Sequence, residues 1–127
     1  MHVLVFHVNQ HYYGIPLEHV DCIVPAVAIT PVPESPLTTL GVINVHGTVM
    51  PVTSARRLFG HPDRELCQAD QMIVIARPSP HVLLVDDVAA VVEYAPQDVT
   101  PPEPGVHAHG LISGILRHDN ELILLLT

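Results

Sequence analysis

A chain of 127 residues with 48% apolar residues is enough for one domain with a sizeable core. Its unbroken apolar runs, such as Val82 to Val85 and Leu122 to Leu126, fall far short of the ~20 residues that a membrane span requires. Five arginines, no lysine and thirteen acidic residues give a net charge of −8, so a phosphate backbone finds no clustered cations here and nucleic-acid binding is excluded. The start, Met1-His2-Val3-Leu4, lacks the basic region of a secretory signal, and the chain reads as soluble and cytoplasmic. Protonating the ten histidines would lift the net charge across zero, which predicts poor solubility near pH 6. Cys22 and Cys67 are isolated and read as thiols rather than as a redox or zinc pair.

In chain order, His2 to Val8 is β-branched or aromatic almost throughout and predicts a strand buried on both faces. Asn9-Gln10-His11 turns it, and Tyr12 to Ile15 pairs back. Pro16 opens a short helical turn over Leu17 to Val20, because its missing N–H costs nothing at a first helical position. Asp21 to Val24 resumes as strand. Pro25 to Thr39 carries prolines at 25, 31, 33 and 36 and allows only short extended pieces.

The stretch Gly41 to Gly60 is the most informative. Gly41 to Val45 is a strand, His46-Gly47 a two-residue turn in which glycine supplies a positive φ, and Thr48 to Val52 the return strand. Pro51 cannot donate to a ladder, so that strand is expected at an edge or ending in a bulge. Thr53 or Ser54 caps a helix of under two turns, stopped by Gly60. His61 to Gln71 reads as a polar surface loop. Met72 to Ile75 and Val82 to Val85 form a hairpin around Pro78-Ser79-Pro80. Asp87 is placed to cap a helical turn over Val88 to Ala90, and Val91 to Tyr94 is another strand. A proline-rich loop covers Ala95 to Pro104. Gly110 to Leu116 and Glu121 to Leu126 make the last hairpin, turned at His118-Asp119-Asn120. Nine or ten short strands without a sustained helical period predict an all-β domain of barrel or sandwich type. The order strand, turn, strand, short helical turn, strand occurs at His2 to Val24 and again at Met72 to Tyr94, which suggests two similar halves.

Chemistry-bearing patterns are sparse. Gly110-Leu111-Ile112-Ser113-Gly114 has the wrong spacing for a nucleophile elbow and lies in an expected strand. His107-Ala108-His109 places two imidazoles on one face if extended, but no further ligand follows from spacing, so no metal site is assigned. Asp86-Asp87 points to opposite faces as strand residues and reads as a cap rather than an acid/base pair. Neither GxGxxG nor GxxxxGK[ST] appears, and no cofactor is expected. Arg56 and Arg57 read by default as a solvated helix face, with a partner contact also open for Arg57.

The central stretch resembles the signature of the CheW family, the adaptor of bacterial chemotaxis, which runs roughly G-V-x-N-x-R-G-x-x-x-P-V-x-D-L-R. Gly41, Val42, Asn44, Gly47, Pro51, Val52 and Arg56 fit; His46 stands where the family has Arg, and Ser54 where it has Asp. Tyr13, Gly14, Ile15, Val20 and Ile23 match its Y-G-I/L-x-x-x-x-V-x-E-I, with Cys22 in place of Glu. The stretch Met72 to Val92 is similar to its second strand pair ending in V-D-x-V, and Leu111-Ile112-Ser113-Gly114 to its Y-L/I-x-G.

The resemblance implies one CheW-like domain over 1–127, with two intertwined five-stranded β-barrels packed on a shared apolar core and a central hairpin at 41–53. It implies no catalysis and no cofactor. One surface would bind the regulatory domain of a CheA-type histidine kinase, and a groove between the barrels the cytoplasmic tip of a chemoreceptor, in chemotaxis or pilus-motility signalling. By the same resemblance Val20, Cys22, Ile23, Gly41, Val42, Asn44 and His46 are partner-binding positions, while Gly14, Gly47, Pro51 and Arg56 are structural, the match of Arg56 to the family's Arg setting a fixed ion pair that supports the hairpin against free exposure. His46 is shorter than Arg and mostly neutral at pH 7, which predicts an altered partner affinity. Family members usually continue into a C-terminal helix where this chain stops at Leu126-Thr127, which predicts exposed apolar surface and self-association. The readings set against the adaptor are a small histidine-rich metal-binding domain and a self-associating β-barrel interaction module.

Overall fold

The computed structural model describes residues 1–102 and 111–126. The strands are β1 (His2–Val8), β2 (His11–Pro16), β3 (Val20–Pro25), β4 (Thr39–Val45), β5 (Thr48–Ser54), β6 (Gln71–Ile75), β7 (His81–Val85), β8 (Asp87–Glu93), β9 (Val99–Thr100), β10 (Ile112–His118) and β11 (Glu121–Leu126). A short helix, α1 (Ala55–Leu58), follows β5, and 3-10 turns occupy Leu17–His19 and Pro96–Asp98. No helix among the described residues is long and apolar enough to cross a membrane.

The chain divides into two compact units, Met1–Glu18 with Val88–Thr127, and His19–Asp87. The first is built on a six-stranded sheet of order β8-β1-β2-β11-β10-β9, the second on a five-stranded sheet of order β3-β6-β7-β5-β4. Where the family resemblance implies two five-stranded barrels, the structure has sheets of six and five strands. Neither is closed by strand pairing among the described residues; the edges are β8 and β9 in one, β3 and β4 in the other.

Both sheets follow one plan: two hairpins joined by a parallel pair of their second strands. In the first unit β11 runs parallel to β2, with Ile123 opposite Tyr12; in the second β5 runs parallel to β7, with Val52 opposite Val82. The strand after the first unit's first hairpin, and the strand after the second unit's second hairpin, each join the other sheet. β3 follows β2 but pairs with β6, and β8 follows β7 but pairs with β1.

The turns obey local chemistry. Asn9-Gln10, His46-Gly47 and Asp119-Asn120 all hold positive φ at both central residues, the mirror-image geometry that matches strand twist. Burial then fixes which face points inward. Val3, Val5, Val92, Leu116, Ile123 and Leu125 form one apolar cluster in the first unit, and Ile43, Val45, Val52, Met72, Val74 and Val82 another in the second. Each such side chain contributes about 1.5–3 kcal/mol when fully buried. Gly14 lies inside the first unit, where a β-carbon would come within 2.6 Å of Val3 Cγ2 and 3.1 Å of Leu125 Cδ2.

Two local expectations are corrected. Val88 to Ala90 is strand rather than a helical turn, because β8 runs antiparallel to β1 from the reciprocal Met1–Tyr94 backbone pair (3.1 and 2.9 Å). β5, with its Pro51, is not an edge strand: it lies between β7 and β4, and the register shift falls in β4, between Thr39 and Gly41. Proline is accommodated because Val42, opposite it, spends its own N–H and C=O on Thr30 (2.9 and 3.0 Å). Val42–Pro51 is thus a pair without mutual hydrogen bonds, and the missing N–H faces the β7 side one residue before β7 begins to pair at Val52.

Candidate functional site

The residues assigned to partner binding separate into two groups on opposite edge strands of the five-stranded sheet, with β6, β7 and β5 between them. On β3, alternation turns Cys22 inward against the Ile43–Val45–Val74 cluster and leaves Ile23 39% exposed, with Val20 half-buried beyond a bulge. Burial, and then the neighbouring Asp21 charge, push the Cys22 thiol up, so it stays protonated and packs as a small apolar group.

On β4, Gly41 is buried and its φ is +150°; Val42 is half-buried and Asn44 exposed. Asn44 Oδ1 accepts the Gly47 N–H at 2.8 Å, fixing the turn that presents His46 to solvent. Next to them on β5, Val49 is 66% exposed and Pro51 is exposed. The outward face of this hairpin therefore carries an apolar stripe of Val42, Val49 and Pro51 beside Asn44.

At the far end of β5 the chain builds a polar assembly. Ser54 caps α1, its Oγ accepting from Arg57 N at 3.2 Å. Gly60 (φ 75°) closes the helix, with Gly60 N donating to Arg57 O and His61 N to Arg56 O, a Schellman ending. Arg56 then points at Asp86 just past β7, donating from Nε (3.0 Å) and Nη2 (2.7 Å) to its two oxygens and from Nη1 to Pro62 O.

Arg64 bridges two carboxylates: Asp70 at 2.6 and 3.1 Å and Asp86 at 3.2 Å. Asp70 is only 4% exposed and also accepts the Cys67 N–H at 2.9 Å. Its hydrogen bond raises the Arg64 pKa further, against the opposing pull of burial, and the guanidinium remains charged. These groups surround a cavity of about 260 Å³ whose apolar walls are Ile29, Leu40, Leu66 and Leu84.

Sequence reading missed Arg64, Asp70 and the pairing of Asp86. The available signal was an isolated acid immediately before an apolar strand, where a solvated loop has no need of one. Arg57 pairs with Asp63 (3.0 and 2.8 Å) and donates to Leu37 O. The Arg57 hydrogen bond holds the Asp63 carboxyl below the usual carboxylate range. A depressed carboxylate supports the fold above its unfolded pKa, and that support disappears as pH falls through the lowered folded value. We expect an NMR titration to place the Asp63 midpoint below the ordinary aspartate range, and Arg57→Gln to return it to that range.

The other chemistry candidates are placed as follows. Ser113 sits at the register shift of β10 and donates to the carbonyl of Leu125 (3.4 Å). His107 and His109 lie outside the described residues, among which no cluster of three or more His, Cys, Asp or Glu is arranged to hold a metal.

Comparison with known proteins agrees with this architecture. The chain is 28% identical to the chemotaxis protein CheW of Helicobacter pylori over 95% of its own length and 74% of that protein. It is 25% identical to CheW of Thermotoga maritima over 98% of its length and 82% of that protein. The crystal structure of the scaffolding protein TtCheW from Thermoanaerobacter tengcongensis superposes with a TM-score of 0.90 at 27% identity, covering 99% of this chain and 88% of that one. The family model for the CheW-like domain matches residues 2–127, and the chain belongs to the CheW-like domain family.

Proposed function

We propose that the chain is a non-enzymatic coupling adaptor that joins chemoreceptors to a CheA-type histidine kinase in chemotaxis or pilus-motility signalling. The observation that carries this reading is the match to the CheW-like domain from residue 2 to 127, with a scaffolding protein as a structural relative. The site supports it. An adaptor needs exposed apolar surface on rigid elements, and the β4–β5 hairpin offers Val49 and Pro51 on a framework pinned at both ends, by the Asn44–Gly47 turn and by α1.

Within this reading Ile23, Val42, Asn44 and His46 are contact positions. Gly41 shapes the strand beneath them, and Cys22 acts from inside by packing. His46 replaces a permanently charged, bidentate guanidinium with a shorter imidazole that has no such fork of donors. The adaptor is expected to bind its kinase without that charge contact, and to bind more weakly than a variant carrying it.

The test is a calorimetric titration of the full chain against the regulatory domain of the CheA-type kinase of the same organism. We expect saturable binding, a several-fold gain for His46→Arg, and a loss of roughly tenfold for Val49→Asp with unchanged melting temperature. Gly41→Asp serves as the strand-disrupting control. Absence of binding to every kinase of that type in the organism overturns the coupling role.

A further inference from the structure

Beyond the coupling role, the first unit carries a sheet edge that no further strand covers among the described residues, beside a largely apolar hollow. Among the described residues β8 is an edge strand, with β1 as its one neighbour in the sheet. The reciprocal hydrogen bonds between Met1 and Tyr94 set the ladder. Continued from that pair, Val92 and Ala90 direct their N–H and C=O groups to β1, while Val91 and Ala89 direct theirs outward. Val91 is 52% exposed and Ala89 exposed. Natural edges are blunted by Lys, Pro or bulges, and β8 has neither Lys nor Pro.

On the inward face of the same strand lies a hollow of about 230 Å³, walled by Val5, Tyr12, Ala89, Ala90, Val92 and Ile123 and rimmed by His118, Asp119 and Glu121. All of these belong to one unit. A strand added outside β8 would place its residue opposite Ala90 on that inward face, over the hollow.

We propose that β8 is a docking edge for an extended peptide segment of another protein, with a large apolar side chain in the hollow and a cation three residues away on each side. The main-chain ladder of Val91 and Ala89 supplies affinity, and the hollow supplies selectivity. The cations follow from register: the residues opposite Asp87 and Glu93 share the outward face with those two carboxylates. The same register argues against a second copy of this chain. Antiparallel β8–β8 pairing centred on Ala90 sets Asp87 against Glu93 twice, which opposes like charges directly.

The probe is the synthetic peptide acetyl-KTVFVTK-amide, whose Phe falls opposite Ala90 and whose lysines fall opposite Asp87 and Glu93. Titrated into the full chain, it is expected to bind and to slow amide exchange at Val91 and Ala89 by about tenfold or more. Val91→Pro removes one outward donor without touching the β1 ladder and is expected to weaken binding by about tenfold. Ala90→Leu, which fills the hollow and needs no change of backbone, is expected to abolish the preference for Phe over Gly at the peptide centre. Equal binding by Val91→Pro overturns the proposal, as does protection that maps away from β8. Concentration-dependent dimerisation that protects the same amides without peptide overturns it in favour of self-pairing.

Discussion

Gly41→Ala is expected to destabilise the protein by on the order of 4 kcal/mol and to lower the melting temperature by more than about 10 °C. Two terms add. A φ of +150° is a conformation that L side chains rarely adopt, which costs about 1–3 kcal/mol. A β-carbon at Gly41 would also collide with the Thr30 carbonyl group, coming within 2.7 Å of its carbon and 2.9 Å of Ile29 Cγ2. A backbone carbonyl cannot rotate aside as a flexible side chain would. Relief requires the 25–38 segment to withdraw, and with it go both Thr30–Val42 hydrogen bonds, each worth about 1 kcal/mol.

Gly47→Ala is the informative comparison. Gly47 also has positive φ (87°), yet nothing lies within 4 Å of its virtual β-carbon, so only the conformational cost of roughly 1 kcal/mol applies. Urea denaturation of both variants separates strain from collision. Equal losses at the two positions would show that the Thr30 contact yields freely and would refute the collision argument.

Local sequence carried the elements and much less of their neighbours. The three hairpin turns, the Ser54 cap and the Gly60 stop were legible because each depends on a backbone requirement met within four residues. β8 was misread over Val88 to Ala90 because Asp followed by Val-Ala-Ala suits a capped turn locally. Its strand state comes from β1, more than eighty residues away in sequence. Pro51 illustrates the same limit. Its effect on a ladder was foreseen, but whether it interrupts one depends on which residues of β7 and of the Thr30 segment lie alongside.

Among the candidate site residues, the two edge-strand groups were legible as positions, since motif spacing is a property of sequence. Their burial was not. Cys22 and Ile23 are adjacent in sequence and face opposite ways, an assignment that follows from the sheet's apolar cluster. The Arg64–Asp70 pair was invisible for a related reason: in a stretch as polar as His61 to Gln71 every charge looks solvated until one of them is found 4% exposed.

Asp86→Ala is expected to be the most damaging surface-proximal substitution, costing about 2–4 kcal/mol. Asp86 and Arg56 retain only 17% and 16% side-chain exposure, so the pair is largely out of water, and a small discount applies for the solvent that remains. Removing the carboxylate strands the Arg56 guanidinium, which gives Asp86 two hydrogen bonds, and takes from Arg64 one of its two carboxylate partners, 3.2 Å away, leaving it Asp70. Arg56→Met is expected to cost less, since Asp86 keeps Arg64 and the aliphatic chain of Met replaces the packing of the arginine stem. The double variant Arg56→Met with Asp86→Leu should recover part of the loss, because an apolar pair of similar volume carries no unpaired charge. Stability measured by denaturant at pH 7 over this cycle gives the coupling directly, expected at about 1–3 kcal/mol. A coupling near zero would mean that water, not Asp86, satisfies Arg56. The pinning of α1 to the end of β7 would then have to rest on the apolar contacts of Ala55 and Leu58 alone. Hydrogen exchange in residues 61–70 provides the independent check. These residues are tied to the sheet through Arg64 and Asp70, so loss of Asp86 should speed exchange there while leaving the β4–β5 hairpin protected.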